Sequence, residues 1–256
     1  MKRKSFYNKS LPVALRLARE YATKDGFVLS LPQILHARVV APSQDKIWSN
    51  WYIANSEEDV VTTEQGNKIV IVGHGGLALK TPERIEQAYR EGLTVQHAAK
   101  FSENEAKDLA KGKLQDGTEF PLIPYKEFLT KSNLPLVYGV VLDFNKAKKT
   151  KSAYQKFEGI YDNPLAIARA GGEEQLKLYL DRAKQHYGAK YYGQGHGLEG
   201  IDADQAQGRV LYIDDDVYYG LDGFNFLDSD GRVLAVAPEA QSVEKNLESK
   251  IQKRDT

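Results

Sequence analysis

The chain of 256 residues carries 35 Lys+Arg against 35 Asp+Glu, so its formal charge is zero, and 41% hydrophobic with 27% charged residues is the balance of a soluble folded chain. A neutral total supplies no whole-molecule field toward nucleic acid or an anionic membrane, so neither is an expected partner. The absence of cysteine excludes disulfides, a thiol nucleophile and Cys-ligated metal, and fits the cytoplasm. No apolar run approaches the roughly 18 residues of a membrane span.

Charge is uneven along the chain. Residues 1–24 hold seven basic side chains and one acid, Glu20, while residues 199–239 hold ten acids against Arg209 and Arg232. The basic start is broken by Asn8, Lys9, Ser10 and Arg16, which excludes a secretory leader and points to a basic amphipathic first helix.

Ser10 can cap a helix running to about Lys24, stopped by Asp25-Gly26, and the FVLSL segment reads as a short strand. Pro32 and residues 33–41 form a second helix ended by Pro42. Trp48, Trp51 and Tyr52 crowd both tryptophans into four residues, as a core plug or as a stacking platform for a ring-shaped ligand.

The clearest signal follows: Lys68 to Val72 is a β-branched strand that runs into Gly73-His74-Gly75-Gly76, and Thr81-Pro82-Glu83 then opens a helix with Ile85, Ala88 and Tyr89 on one face and Gly92 at its end. Ser102 and Glu105 form a capping box for a helix to Gly112. TEFPLI is a short strand, PYKEFL a short helix, and Leu134 to Phe144 a central strand. The lysines of residues 146–151 suit a solvated loop. Asn163-Pro164 opens a helix to Ala170, and residues 173–187 form another. From Gly188 to Pro238 short strands and turns dominate, with Tyr-Tyr-Gly and Gly-Arg-Val-Leu each occurring twice, and a last helix is expected over 239–253.

The expected architecture is α+β or mixed α/β in a single domain over 1–256. Its parts are a helical and aromatic stretch at 1–66, a central sheet with flanking helices at 67–187, and a β-rich meander with a terminal helix at 188–256.

Two of the five histidines, His74 and His196, stand between glycines, where composition alone predicts about 0.03 such cases. Flanking glycines remove bulk and permit positive φ, leaving an imidazole accessible while a ligand approaches the backbone; the alternative is a tight turn in which the ring caps a carbonyl. His74 leaves the carboxyl end of a strand just before a helix, where open α/β sheets place ligands, and Gly73, Gly75 and Gly76 can offer amides to a phosphate or carboxylate. Glu199 and Asp202 follow His196 closely enough to orient it. No metal set is predicted: HExxH is missing, and Asp228-Ser229-Asp230-Gly231 does not continue as a calcium loop.

The segment Gly73-His74-Gly75-Gly76 with residues 82–93, PERIEQAYREGL, resembles the His-Gly strand and following helix of the ADP-ribosyltransferases. The resemblance covers about twenty residues. It implies a histidine at the NAD ribose and a tyrosine on nicotinamide, for which Tyr161 in Gly159-Ile160-Tyr161 is the counterpart. Gly76 stands where that family has Ser or Thr.

The leading expectation is an enzyme acting on a small phosphorylated or nucleotide-like substrate, with His74 and His196 as acid–base or orienting groups and Gly73, Gly75, Gly76, Tyr161, Glu199 and Asp202 holding the ligand. The rival is a non-catalytic binding or protein-interaction module, suggested by 15 tyrosines and an acidic, glycine-rich last third. The expected partner is a small-molecule anion or nucleotide, and no cofactor follows from the sequence.

Overall fold

The computed structural model describes residues 2–150, 153–156, 159–188, 191–194, 197–198, 201–202, 204–215, 220–223 and 227–238. The basic start is a strand, β1 (Lys2–Asn8), before helix α1 (Leu11–Ala22) begins. Then come β2 (Phe27–Val28), α2 (Leu31–Val40), β3 (Tyr52–Thr62), β4 (Lys68–His74) and α3 (Pro82–Glu91). Short elements follow: β5 (Ala99–Lys100), α4 (Glu103–Leu109), β6 (Leu122–Pro124), α5 (Tyr125–Phe128), β7 (Tyr138–Asp143) and α6 (Phe144–Ala147). The last third holds β8 (Ala153–Lys156), α7 (Pro164–Ala170), α8 (Glu173–Tyr187), β9 (Tyr191–Gln194), β10 (Gln207–Ile213), β11 (Leu221–Asp222) and β12 (Gly231–Ala237).

The fold is mixed α/β, built on a ten-stranded sheet with the path β1-β12-β3-β4-β7-β6. β10 also pairs with β3, carrying β5 and β11, while β2 pairs with β12; β8 and β9 form a separate pair. Most pairings are antiparallel, with β6–β7 and the short β12–β3 contact parallel. Pairing of β1 with β12 over Lys2↔Ala237 to Asn8↔Gly231 brings the two ends of the described chain side by side. The C-terminal strands are thereby laid into the common sheet, and both Gly-Arg-Val-Leu words lie on strands that flank β3.

Alternation along the strands creates two cores. Val60, Val70, Val72, Val140 and Leu142 pack with α2, α7 and α8 on one face. Ile53, Val61, Ile71, Val210 and Val233 pack with α1, α3 and α4 on the other. Trp48 is wholly buried in the first core, stacked on Tyr179 at 6.4 Å and His186 at 4.7 Å, so it is a plug. Trp51 separates from it and meets Tyr7 and the guanidinium of Arg232.

The cap signals act as read for α3 and α7: Thr81 accepts from the Arg84 amide and Asn163 from those of Leu165 and Ala166. Ser102 accepts from the Glu105 amide, but the Glu105 carboxylate turns to Arg84 instead of closing the box. The terminal helix expected over 239–253 lies outside the described residues.

Candidate binding site

β3 is the strand that sequence periodicity concealed, because its middle reads Ser-Glu-Glu-Asp. All four of these residues are buried. Period-two alternation sends Ser56 and Glu58 to the face covered by α7, and Glu57 and Asp59 to the opposite face.

On the α7 face, Ser56 lies opposite His74 in the β3–β4 register. The His74 ring is buried, with Nδ1 2.9 Å from Ser56 Oγ and Nε2 2.9 Å from the Ala168 carbonyl oxygen. A carbonyl only accepts, so Nε2 carries the proton and Nδ1 accepts from the Ser56 hydroxyl, which in turn accepts from the Leu31 amide at 2.9 Å. Burial lowers the His74 pKa to about 4, holding the ring neutral. Its aromatic neighbour is Tyr138, at 5.0 Å. His74 therefore joins α2, β3, β4 and α7 and is not an exposed acid–base group. Of the two sequence readings of the Gly-His-Gly triplet, the carbonyl-capping one is realised here.

Beside it, Glu58 receives Arg169 Nε at 2.9 Å and Arg209 Nη2 at 2.6 Å, all three side chains being buried. Burial pushes the Glu58 pKa up, but the two guanidinium groups outweigh it and hold the carboxylate below its ordinary range. Arg209 also donates to the Gly197 carbonyl at 2.9 Å, tying down one end of the second Gly-His-Gly loop. His196 and Glu199 lie outside the described residues.

On the opposite face the glycine turn meets an anion already supplied by the chain. Glu57 accepts from the amides of Leu77, Ala78 and Leu79 at 3.2, 2.7 and 2.9 Å. The Gly75 amide donates to the Asn55 carbonyl at 3.0 Å. Of the loop amides expected to cradle a substrate phosphate, that of Gly75 is thus engaged within the fold, as are the three amides that follow the loop. Asp59 sits next to Glu57 and, among the described residues, has no N–H donor on either carboxyl oxygen. Burial, then the Glu57 charge, raises the Asp59 pKa well above its ordinary value, and burial raises that of Glu57 to about 7.

The remaining expected site residues disperse. Tyr161 donates to Asp181 on α8 at 2.9 Å and packs on the core of the α7 face. Asp202 is exposed and accepts from the Asp204 amide at 2.9 Å, closing a local turn. It also lines a cleft of about 460 Å³ with Leu93, Thr94, Val95, Gln96, Lys100, Gln205 and Gln207. Val95, at the tip of one wall, is 99% exposed. The wall turns at His97, which has φ +56° and contacts Asp228 at 3.2 Å. Gln207 is buried and fixes the other wall by donating to the carbonyls of Asp202 and Gln205. Carboxamides, a hydroxyl, one ammonium and one carboxylate converge here on an apolar rim, which suits contact more than bond-breaking. Sequence reasoning missed this cleft, since its walls come from segments about a hundred residues apart and neither carries a motif.

No protein-family model and no curated protein sequence matches the chain. A solved structure described as "Accommodation of massive sequence variation in Nanoarchaeota by the C-type lectin fold" is similar to it, with a TM-score of 0.70 and 26% sequence identity over 91% of this chain and 96% of that one. That fold is a binding-module fold. The likeness overturns the expectation of an enzyme acting on a phosphorylated or nucleotide-like substrate, and the burial of His74 gives the physical reason. The ADP-ribosyltransferase resemblance falls with it: both ring nitrogens of His74 are engaged inside the protein, and Tyr161 is bonded to α8.

Proposed function

We propose that the protein is a non-catalytic binding module whose cleft between residues 93–100 and 202–207 contacts a partner protein. The observation that carries this reading is the division of labour in the structure. Buried polar groups such as His74, Glu57 and Glu58 hold the scaffold together, whereas the cleft, whose walls are fixed by Gln207 and Asp202, presents Val95 and Gln96 outward. Among the described residues, Val95 is almost wholly exposed and Gln96 makes no side-chain hydrogen bond. An apolar anchor rimmed by carboxamides is the chemistry of a protein interface.

The structural neighbour concerns a C-type lectin fold that accommodates sequence variation. A scaffold of the same kind would let the side chains at 93–96 and 205 change without loss of the fold. Seven-residue pairing of strands from opposite ends of the chain supports a single domain over 1–256, and the cysteine-free composition supports the reducing cytoplasm. A small anion is a second proposed partner, held apart from this cleft.

The test is selection of binders from a displayed-peptide and protein library, followed by affinity measurement on variants. Val95→Asp and Gln96→Ala should weaken a selected partner at least tenfold with unchanged thermal unfolding, while Lys126→Ala on α5 should leave it within twofold. Binding that is indifferent to Val95→Asp would overturn the reading of the cleft.

A further inference from the structure

A second cleft, of about 300 Å³, opens where the end of α1 meets the Gly75 turn. It is lined by Arg19, Thr23, Phe27, Asn55, Gly75 and Lys80, with Ala22, Gly26 and Val28 beneath. It contains two cations and no carboxylate. We propose that this cleft binds a tetrahedral oxyanion group, a phosphate or sulfate, through Arg19 and Asn55.

The first support is the state of Arg19. Its Nη1 donates to the Lys80 carbonyl at 2.7 Å, which fixes the guanidinium across the cleft. Among the described residues it has no ion pair, whereas Arg16, one turn earlier on α1, is held by Glu86 at 3.0 Å and Glu83 at 3.5 Å. Arg19 retains N–H donors for a ligand, and a planar fork of donors matches an oxyanion. It also stands in the last turn of α1, where it offsets the negative end of the helix.

The second support is the way the turn is shaped around Asn55. Gly76 has φ +91°, and a Cβ there would meet Asn55 Oδ1 at 2.7 Å and Lys80 Cβ at 2.8 Å. Glycine at this position lets two lining residues close on the turn. The Asn55 carboxamide makes no side-chain hydrogen bond among the described residues and lines the cleft, so its N–H₂ is available to a ligand oxygen. Thr23, on the rim, adopts φ +57° and ψ −165°, a region that β-branched residues rarely enter.

Lys80 Nζ lies 2.9 Å from Asp116, on the side of a neighbouring cleft, and Glu83 feels both Arg16 and Arg19. Arg19 is left as the cation that a ligand would neutralise. Glu57, the internal anion on the 77–79 amides, is not among the lining residues, so the two anion sites do not compete for donors.

The proposal is tested by following thermal unfolding and calorimetric titration of the full chain with sodium phosphate, sodium sulfate and glycerol 3-phosphate, at ionic strength held constant with sodium chloride. A concentration-dependent rise in Tm with any of the three, beyond that with chloride, is expected. Response to inorganic phosphate identifies the free ion as sufficient, and response to the ester alone identifies a phosphorylated small molecule. Arg19→Gln should weaken the apparent Kd at least tenfold, whereas Arg16→Gln should leave it within twofold. Tm without ligand reports whether either variant is folded; if Arg19→Gln fails to fold, Asn55→Ala, expected to weaken binding at least threefold, takes its place. No response beyond chloride, or equal binding by a folded Arg19→Gln or Asn55→Ala, overturns the proposal. Val95→Asp should leave oxyanion binding unchanged, so the two clefts stand or fall separately.

Discussion

His74 donates from Nε2 to the carbonyl of Ala168 across 2.9 Å, and the next residue of α7, Arg169, donates to Glu58 on the strand beside His74. Two consecutive helical positions thus lock α7 onto the sheet, one through a neutral hydrogen bond and one through a buried ion pair.

Removal of the imidazole leaves the Ser56 hydroxyl and a helical carbonyl without their partner in a close-packed interior. His74→Ala should cost about 2–4 kcal/mol, as a cavity plus a lost buried hydrogen bond. Urea denaturation reads this directly. Partner affinity, measured where the variant is still folded, should be unchanged, since the ring lines neither cleft. Loss of binding without loss of stability would restore a functional role to His74.

Glu58 neutralises two buried guanidinium groups at once. Glu58→Ala should destabilise by about 3–5 kcal/mol or prevent folding, because uncompensated buried charge costs more than the pair contributed. The paired change Arg209→Met with Glu58→Gln should lose less than the sum of the single changes, as expected of residues in one network. Denaturation midpoints of the three variants decide it.

Two buried groups make stability depend on pH in opposite directions. The folded pKa of Glu57, about 7, lies above its ordinary value of 4.5. The folded state therefore binds more protons between those limits, and the stability this contributes is full below about pH 4.5 and lost as pH rises through 7. His74 is depressed from 6.5 to about 4, so its contribution is full above 6.5 and lost as pH falls through 4. The two windows overlap, so the opposing changes nearly cancel between about pH 4.5 and 6.5, and stability should be highest across that plateau and fall on either side of it. Asp59→Asn supplies an amide donor to Glu57 and removes the neighbouring charge, so it should raise the Tm at pH 8 and flatten the decline from pH 6 to 8. An unchanged decline would show that Asp59 does not set the titration of Glu57.

The glycines of the turn are not equivalent. A Cβ at Gly73 would meet side-chain atoms, Leu77 Cδ1 at 2.3 Å and Cγ at 2.8 Å and Glu57 Cγ at 3.4 Å, whereas one at Gly75, with φ +84°, would meet the backbone oxygen of Leu136 at 2.1 Å. A backbone obstacle cannot rotate away. Gly75→Ala should therefore cost about 2 kcal/mol or more, and exceed Gly73→Ala, as measured by thermal or urea unfolding.

Local chemistry determined much of this protein by sequence alone: the caps at Thr81 and Asn163, the proline-started helices, the β-branched strand at residues 68–72 and the mixed α/β class all follow from short-range rules. The glycines around His74 were also legible as a place of close approach. Tertiary structure alone decided what approaches. Three consecutive acids spoke against a strand at residues 57–59, yet Arg169, Arg209 and the amides of Leu77 to Leu79 arrive from elsewhere in the chain and make that strand the middle of the sheet. The same kind of distant contact decided the setting of His74. Burial under α7 turned His74 from an apparent catalyst into a neutral brace, and each cleft arose between segments that lie far apart in the chain. Period and propensity act over a few residues, but burial and charge compensation are set by neighbours that only folding supplies.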